Sequence, residues 1–300
     1  MRKHLVPAVV LTLAAGALGT AAPAHAAAGD CPNGGVVRFG VEPFEAAANL
    51  VPVFDSVGKI IAKDLGCQVK IYIPTSYNAE IEAMRNGKLE VGEFGPLGYV
   101  LAHQVAKADA VATFSDKNGK PDTYTASIVT WPGSGITSLA GIAGHTFAYS
   151  DPASTSGHLF PAFGLRKAGI DPDHGVTAIY AGSHTSSFEA LRHHKVEAGE
   201  LNSEQVKAAT NQHEYDSKDF VTLWKSQPIP NDPIAVRADL PAGFKARLTK
   251  VLQNLDLSSL TPAERKHLMG AGPHMVPTTD AAYDIIRDLV GTLRIDLAKL

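Results

Sequence analysis

The chain has 300 residues, of which 45% are hydrophobic and 19% charged. That composition excludes a disordered chain, a collagen-like repeat and a disulfide-dense miniprotein, and the length suits two domains. A formal charge of −3 leaves neither the broad basic surface that nucleic acid requires nor a polybasic anchor for anionic lipid.

Arg2, Lys3 and His4 form a short basic head, Leu5 to Leu18 are almost wholly apolar or small, and Ala24-His25-Ala26 reads as a small-x-small cleavage site. This is the layout of a secretory signal peptide over residues 1–26. The apolar run is short for a span of ~20 residues, and Pro23 follows it. Loss of Arg2 and Lys3 leaves the mature chain at −5. Asp30 directly before Cys31 does not suit a lipidation signal, so an exported chain outside the cytoplasmic membrane is expected. The two cysteines, Cys31 and Cys67, then lie in an oxidising compartment, which favours a bridge over two free thiols. No Cys/His cluster has zinc-ligand spacing, and no metal or other cofactor is expected.

The periodicity predicts strands at 36–41, 69–73 and 89–94, alternating with helices at 46–65, 78–86 and 96–107. Leu50, Val53, Phe54, Val57, Ile60, Ile61 and Leu65 carry the first helical stripe, and Gly66 ends it. A second α/β set follows, with strands at 124–131, 145–149, 176–180 and 196–200 and helices ending at Ala168 and spanning 186–193. Strands at 221–224 and 234–236 flank a proline-rich turn, and the tail from Ala242 is expected to be helical. Two such units suggest a clamshell with crossings near 122–127 and 225–232. One lobe would take 27–124 and 230–300 and the other 125–229. Ligands of open α/β sheets sit outside the carboxyl ends of strands, here a cleft that closes by a hinge.

The most informative stretch is Asp151-Pro-Ala-Ser-Thr-Ser-Gly157, which runs from a strand into a helix. Free N–H groups at a helix start, with the hydroxyls of Ser154, Thr155 and Ser156, suit phosphate-like oxygens without a Lys or Arg. Gly157 is expected to let a ligand approach the backbone. The same hydroxyls also serve as an ordinary N-cap. The segment lacks the Gly-Lys-Ser/Thr ending of a Walker loop.

This run resembles the signature of the phosphate, phosphite and phosphonate binding proteins of ABC importers. The likeness extends to Pro74-Thr-Ser-Tyr-Asn78, Phe94-Gly-Pro-Leu-Gly-Tyr99, Gly182-Ser-His184 and Pro228-Ile-Pro-Asn-Asp-Pro-Ile234. It implies a two-lobed, type II-like periplasmic binding protein with mixed sheets flanked by helices. Such a protein, expected as a monomer, delivers a small phosphorus oxyanion to a membrane permease. Carried over, Ser154, Thr155 and Ser156 hold phosphoryl oxygens, Tyr77 donates from the opposite lobe, and His184 donates from the loop after Tyr180. Glu204 and Asp232 match carboxylates that meet a ligand amine. Phe94 stands where the aminoalkylphosphonate-binding branch has tyrosine.

Plain readings accompany these. Tyr77 suits an exposed loop, His184 a turn cap, Glu204 a solvated helix start, and Asp232 a turn between prolines. Two other functions share the residues. An exported phospho-ester hydrolase would use a serine of the Ser154–Ser156 run, with His158 or His184 as base, although no Gly-x-Ser-x-Gly elbow is present. A ligand-sensing lobe would serve a membrane signalling partner.

Overall fold

The computed structural model describes residues 31–297. The expected leader, residues 1–26, lies outside them. The first half of the chain supplies β1 (Val36–Val41), α1 (Ala47–Leu65), β2 (Gln68–Tyr72), α2 (Tyr77–Arg85), β3 (Val91–Glu93), α3 (Pro96–Ala106) and β4 (Ala108–Phe114). After the pieces β5 (Thr123–Tyr124) and β6 (Ala126–Thr130) come β7 (Thr146–Tyr149), α4 (Phe160–Lys167), β8 (Thr177–Tyr180), α5 (His184–Arg192), β9 (Ala198–Asn202) and α6 (Ser203–Asn211). The remainder is β10 (Val221–Lys225), β11 (Ile229–Pro230), β12 (Pro233–Arg237), α7 (Ala242–Gln253), α8 (Pro262–Arg265), β13 (Met275–Pro277) and α9 (Asp284–Leu293).

The strands form two mixed sheets, in the orders β13-β4-β12-β3-β1-β2 and β10-β6-β9-β7-β8. In the first, β2, β1 and β3 are parallel, while β12 runs antiparallel to β3 and β4. In the second, β9, β7 and β8 are parallel. Parallel neighbours bring their carboxyl ends to one edge, which places Val41, Glu93 and Tyr149 close to the space between the sheets. The chain crosses between the sheets twice, and β5 and β11 pair antiparallel at that crossing.

α1 forms because Leu50, Val53, Phe54, Val57, Ile61 and Leu65 recur on one buried face. Gly66 ends it in the left-handed conformation, at φ 75°. The core of the first sheet also includes Ala153, Leu159 and Phe160 from the far side of the crossing, so the two halves pack against each other.

One strand lies where none was expected, and one expectation fails. β4 carries no strand signal, since Ala108-Asp-Ala-Val-Ala-Thr-Phe is rich in residues depleted from strands. Its place is set by β12 and β13, which arrive from the far end of the chain. The tail is also not wholly helical, because Met275–Pro277 adds an edge strand against β4.

Cys31 and Cys67 are bridged, tying the segment before β1 to the start of β2 across a separation of 36 residues. A loop of that length favours the folded chain by roughly 3–4 kcal/mol in the chain-entropy model. Changing both cysteines to serine is expected to lower unfolding stability by about that amount, read from a denaturant titration. An unchanged midpoint would show that the bridge constrains nothing.

Candidate functional site

The run after β7 is a folded cap. Asp151 Oδ1 accepts the Ala153 N–H at 2.9 Å, and Ser154 Oγ accepts the Gly157 N–H at 3.1 Å. Thr155–Leu159 is a π-helical turn that continues into α4. Its wide pitch follows from Pro161, which has no N–H to give to the Gly157 carbonyl. The Ser150 N–H takes that carbonyl instead, at 3.2 Å. Such π turns recur at functional sites.

Gly157 does not leave room for a ligand, contrary to expectation. A Cβ there would lie 1.8 Å from Ser150 Oγ and 2.9 Å from His184 Cε1, so the chain's own side chains fill that space.

His184 is the first residue of α5, not part of the preceding loop as expected. Ser183 caps the helix by accepting the Ser186 N–H at 3.1 Å, which draws the start of the helix back to His184. The buried His184 ring lies with Nδ1 2.9 Å from Glu200 Oε1 and Nε2 3.4 Å and 3.5 Å from the hydroxyls of Ser154 and Ser156. Burial works against the charged imidazole, but Glu200, then Asp232 and Glu45, outweigh it and hold the ring above the ordinary histidine range. With Nδ1–H given to Glu200, Nε2 faces the two serine hydroxyls, and the protonated form that Glu200 favours would donate to them. Asn202 Nδ2 donates to Ser156 Oγ at 3.3 Å, and the Tyr124 hydroxyl bonds the side chains of Ser156 and Thr155.

The first sheet closes the site from the other side. Thr155 Oγ1 accepts the Leu97 N–H at 2.8 Å, one of the unpaired donors at the start of α3. His184 N–H donates to the Phe44 carbonyl at 3.1 Å. Tyr77 opens α2, and its N–H bonds the Asp151 carboxyl. The Tyr77 side chain is fully buried, and its hydroxyl has no hydrogen-bond partner. It feels Glu42, Asp151, Asp232 and Glu200, acids from both sheets, which sets the ring between them.

Asp232 is buried beside Glu93, and burial with that neighbour pushes its carboxyl well up. Glu42 is raised in the same way by burial, Asp232 and Glu93, although its Oε2 accepts the Gly95 N–H at 2.8 Å. Glu93 is pushed up to about 8 by burial and by Glu80. Burial thus drives all three towards the neutral form, and Glu93, pushed up to about 8, is mostly an O–H donor at neutral pH. Phe94 is buried with its ring folded back over Gly92, where a Cβ would meet it at 2.3 Å. Glu204 stands further out, in the first turn of α6, with Lys207 on its carboxylate at 2.9 Å.

Tyr77, Ser154, Thr155, Ser156, His184 and Asp232 thus converge, whereas Glu204 is engaged at the margin and Phe94 packs into the core of the first sheet. Sequence reasoning missed Tyr124, Glu200, Asn202, Glu42 and Glu93. A signal existed for four of them: Glu200 and Asn202 share one face of β9, and Glu42 and Glu93 stand at the carboxyl ends of β1 and β3.

Two α/β lobes with hydroxyl, amide and imidazole donors gathered between them define a solute-binding protein of the periplasmic type. The chain belongs to the family of periplasmic substrate-binding proteins of phosphonate ABC transporters, whose model matches residues 39–283. It is 26% identical over 299 residues to the phosphate-import protein PhnD of Mycolicibacterium smegmatis, covering 93% of this chain and 92% of that one. Its fold is that of a binding protein component of an ABC phosphonate transporter from Pseudomonas aeruginosa, at TM-score 0.76, 24% identity and 86% coverage of each chain. It also matches PhnD1 from Prochlorococcus marinus, solved with methylphosphonate, at TM-score 0.74 and 21% identity, covering 87% of this chain and 98% of that one.

Proposed function

We propose that this protein is exported, binds a small phosphorus oxyanion (phosphonate, phosphite or phosphate) between its lobes as a monomer, and hands it to a membrane permease. The observation that carries this is the convergence of the His184 imidazole, the hydroxyls of Ser154, Thr155 and Ser156, and the unpartnered Tyr77 hydroxyl on one buried point. Tetrahedral oxyanions suit such a set, since several oxygens each accept from a different direction. The names of the relatives, which include phosphate import and a methylphosphonate complex, support the ligand class. Asp232, with Glu42 and Glu93 around it, gives the site either a carboxyl O–H for a phosphoryl oxygen or, ionised, a partner for a ligand amine. Of the described residues, those up to 124 and from 230 onward make one lobe and 125–229 the other, and the paired crossing strands β5 and β11 serve as the hinge.

Titration calorimetry and thermal shift with phosphate, phosphite, methylphosphonate and 2-aminoethylphosphonate, with sulfate as control, test the proposal. Saturable 1:1 binding of at least one phosphorus compound, recovered unchanged, is expected. No binding across the panel would overturn it.

Ser156, His184 and Glu200 also stand in the order of a nucleophile, base and orienting acid. The geometry does not favour it, because Ser156 Oγ lies 3.5 Å from His184 Nε2, too long for a strong bond, and Ser154 Oγ shares that nitrogen at 3.4 Å. His158 is no substitute, because its two ring nitrogens meet the Pro152 carbonyl at 2.7 Å and the Tyr180 hydroxyl at 3.1 Å. Recovery of unaltered ligand in the binding assay separates the two readings.

Tyr77→Phe gives a second check. A buried hydroxyl without a partner costs about 1–3 kcal/mol. Its removal is expected to raise the melting temperature of the free protein while weakening binding about 10-fold. A variant with unaltered affinity would remove Tyr77 from the ligand shell.

A further inference from the structure

A groove of about 300 Å³ opens beside the cleft, lined by Lys117, Lys207, Arg265, Lys266, Leu268 and others. Lys266 and Leu268 also line a narrow cavity of about 20 Å³ that reaches His184, Asn202 and Glu204. The groove therefore leads towards the donors of the anion site. It is assembled from both halves of the chain: Lys117 follows β4, Arg265 ends α8 with Lys266 next to it, and Lys207 lies on α6.

Not all of this charge is free. Glu204 neutralises Lys207 at 2.9 Å. Arg265 gives Nε and Nη2 to the carbonyls of Leu260 and Leu257, at 3.1 Å and 2.8 Å, which fixes the guanidinium without cancelling its charge. Lys117 and Lys266 make no ion pair among the described residues. The acids on this side include Glu204, Asp122, which accepts the Ala271 N–H at 3.0 Å, Glu45, which is 2.8 Å from His267, Asp256, which feels Arg265, and Asp116 beside Lys117.

A small anion approaching this protein meets a chain of net negative charge. We propose that the groove is its entrance: Lys117, Arg265 and Lys266 draw the anion in by electrostatic focusing and hand it past Leu268 to His184, without touching it once bound. A cleft with charge of one sign and low-dielectric walls raises association rates by about 10–1000-fold. This inference rests on the reading of the cleft as a phosphorus oxyanion site.

The test is stopped-flow binding of methylphosphonate and of inorganic phosphate to the full mature chain. For the double variant K117E/K266E, the association rate constant is expected to fall about 10-fold at low ionic strength. The dissociation rate constant should stay unchanged, and the difference should shrink to less than about twofold near ~0.5 M salt, where screening is strong. K63E/K70E, which changes the net charge equally from α1 and the opposite edge strand β2, should leave the rate within about twofold. An unchanged association rate in K117E/K266E, or an equal loss in K63E/K70E, overturns the entrance while leaving the cleft intact. If neither probe binds the wild-type chain, the cleft reading fails, and the entrance fails with it.

Discussion

Replacing Thr155 with alanine is expected to weaken ligand binding about 100-fold, with little change in the fold. Thr155 has two tasks at one atom. Its oxygen accepts the Leu97 N–H from the opposite half at 2.8 Å, and its proton, shared with the Tyr124 hydroxyl in the free protein, can turn to a ligand oxygen. A hydrogen bond to a charged ligand contributes roughly 1.5–3 kcal/mol, which corresponds to roughly 10–150-fold in affinity. The alanine variant also loses the bond that ties α3 to the π turn, so the closed arrangement weakens alongside the ligand contact. The unliganded fold keeps the Ser154 cap and the Asp151 turn. Its melting temperature should therefore drop by only ~2–4 °C, the shift expected for about 1 kcal/mol in a chain of this size. Thr155→Ser, which keeps the hydroxyl, should recover most of the affinity. Calorimetry on the pair decides it: wild-type binding by the alanine variant would remove Thr155 from the site.

The second large effect concerns stability in the absence of ligand. Glu93, at the end of β3, is buried and pushed up to about 8, first by burial and then by Glu80. In the unfolded chain a glutamate titrates near ~4.3. Between these values the folded state holds a proton that the unfolded state has released, so stability falls as pH rises from about 4.5 to about 8. Above that range the loss is complete, and below it there is none. Glu42, Glu80 and Asp232, the other acids packed around this point, are shifted in the same direction by burial. Glu93→Gln carries no charge to release. It is expected to match the wild type near pH 5 and to exceed it at pH 8 by roughly 2–4 kcal/mol. Melting curves of the free protein across that range provide the check. Parallel curves for the two proteins would show that Glu93 does not hold the proton.

These acids also explain how a negatively charged chain accommodates an anion. Burial drives the cluster at the carboxyl ends of β1 and β3 towards its neutral form, while Glu200, outweighing burial, draws His184 beside the serines towards its charged one. Sequence reasoning, which expected no Lys or Arg at the site, had no means of seeing a histidine drawn towards its charged form by a glutamate of β9.

Much of the framework was legible in local patterns. The stripe of α1, the glycine that ends it, the alternating strands and the Ser154–Ser156 run all act over a few residues, where side-chain spacing and backbone donors are set by chain geometry alone. The cysteine pair was legible as well, because two thiols in an exported chain have few alternatives. What the local pattern did not hold was anything decided across the molecule. β4 is a strand because β12 and β13 flank it, not because alanines favour strands. Gly157 is required because Ser150 and His184 crowd it. Glu42 and Glu93 are pushed up because two sheets exclude water from them, and Tyr77 is left without a partner for the same reason. Hydrogen-bonding preference is a property of a residue and its neighbours in the chain. Desolvation and charge coupling depend on what is nearby in space, so they were decided only when the two halves came together.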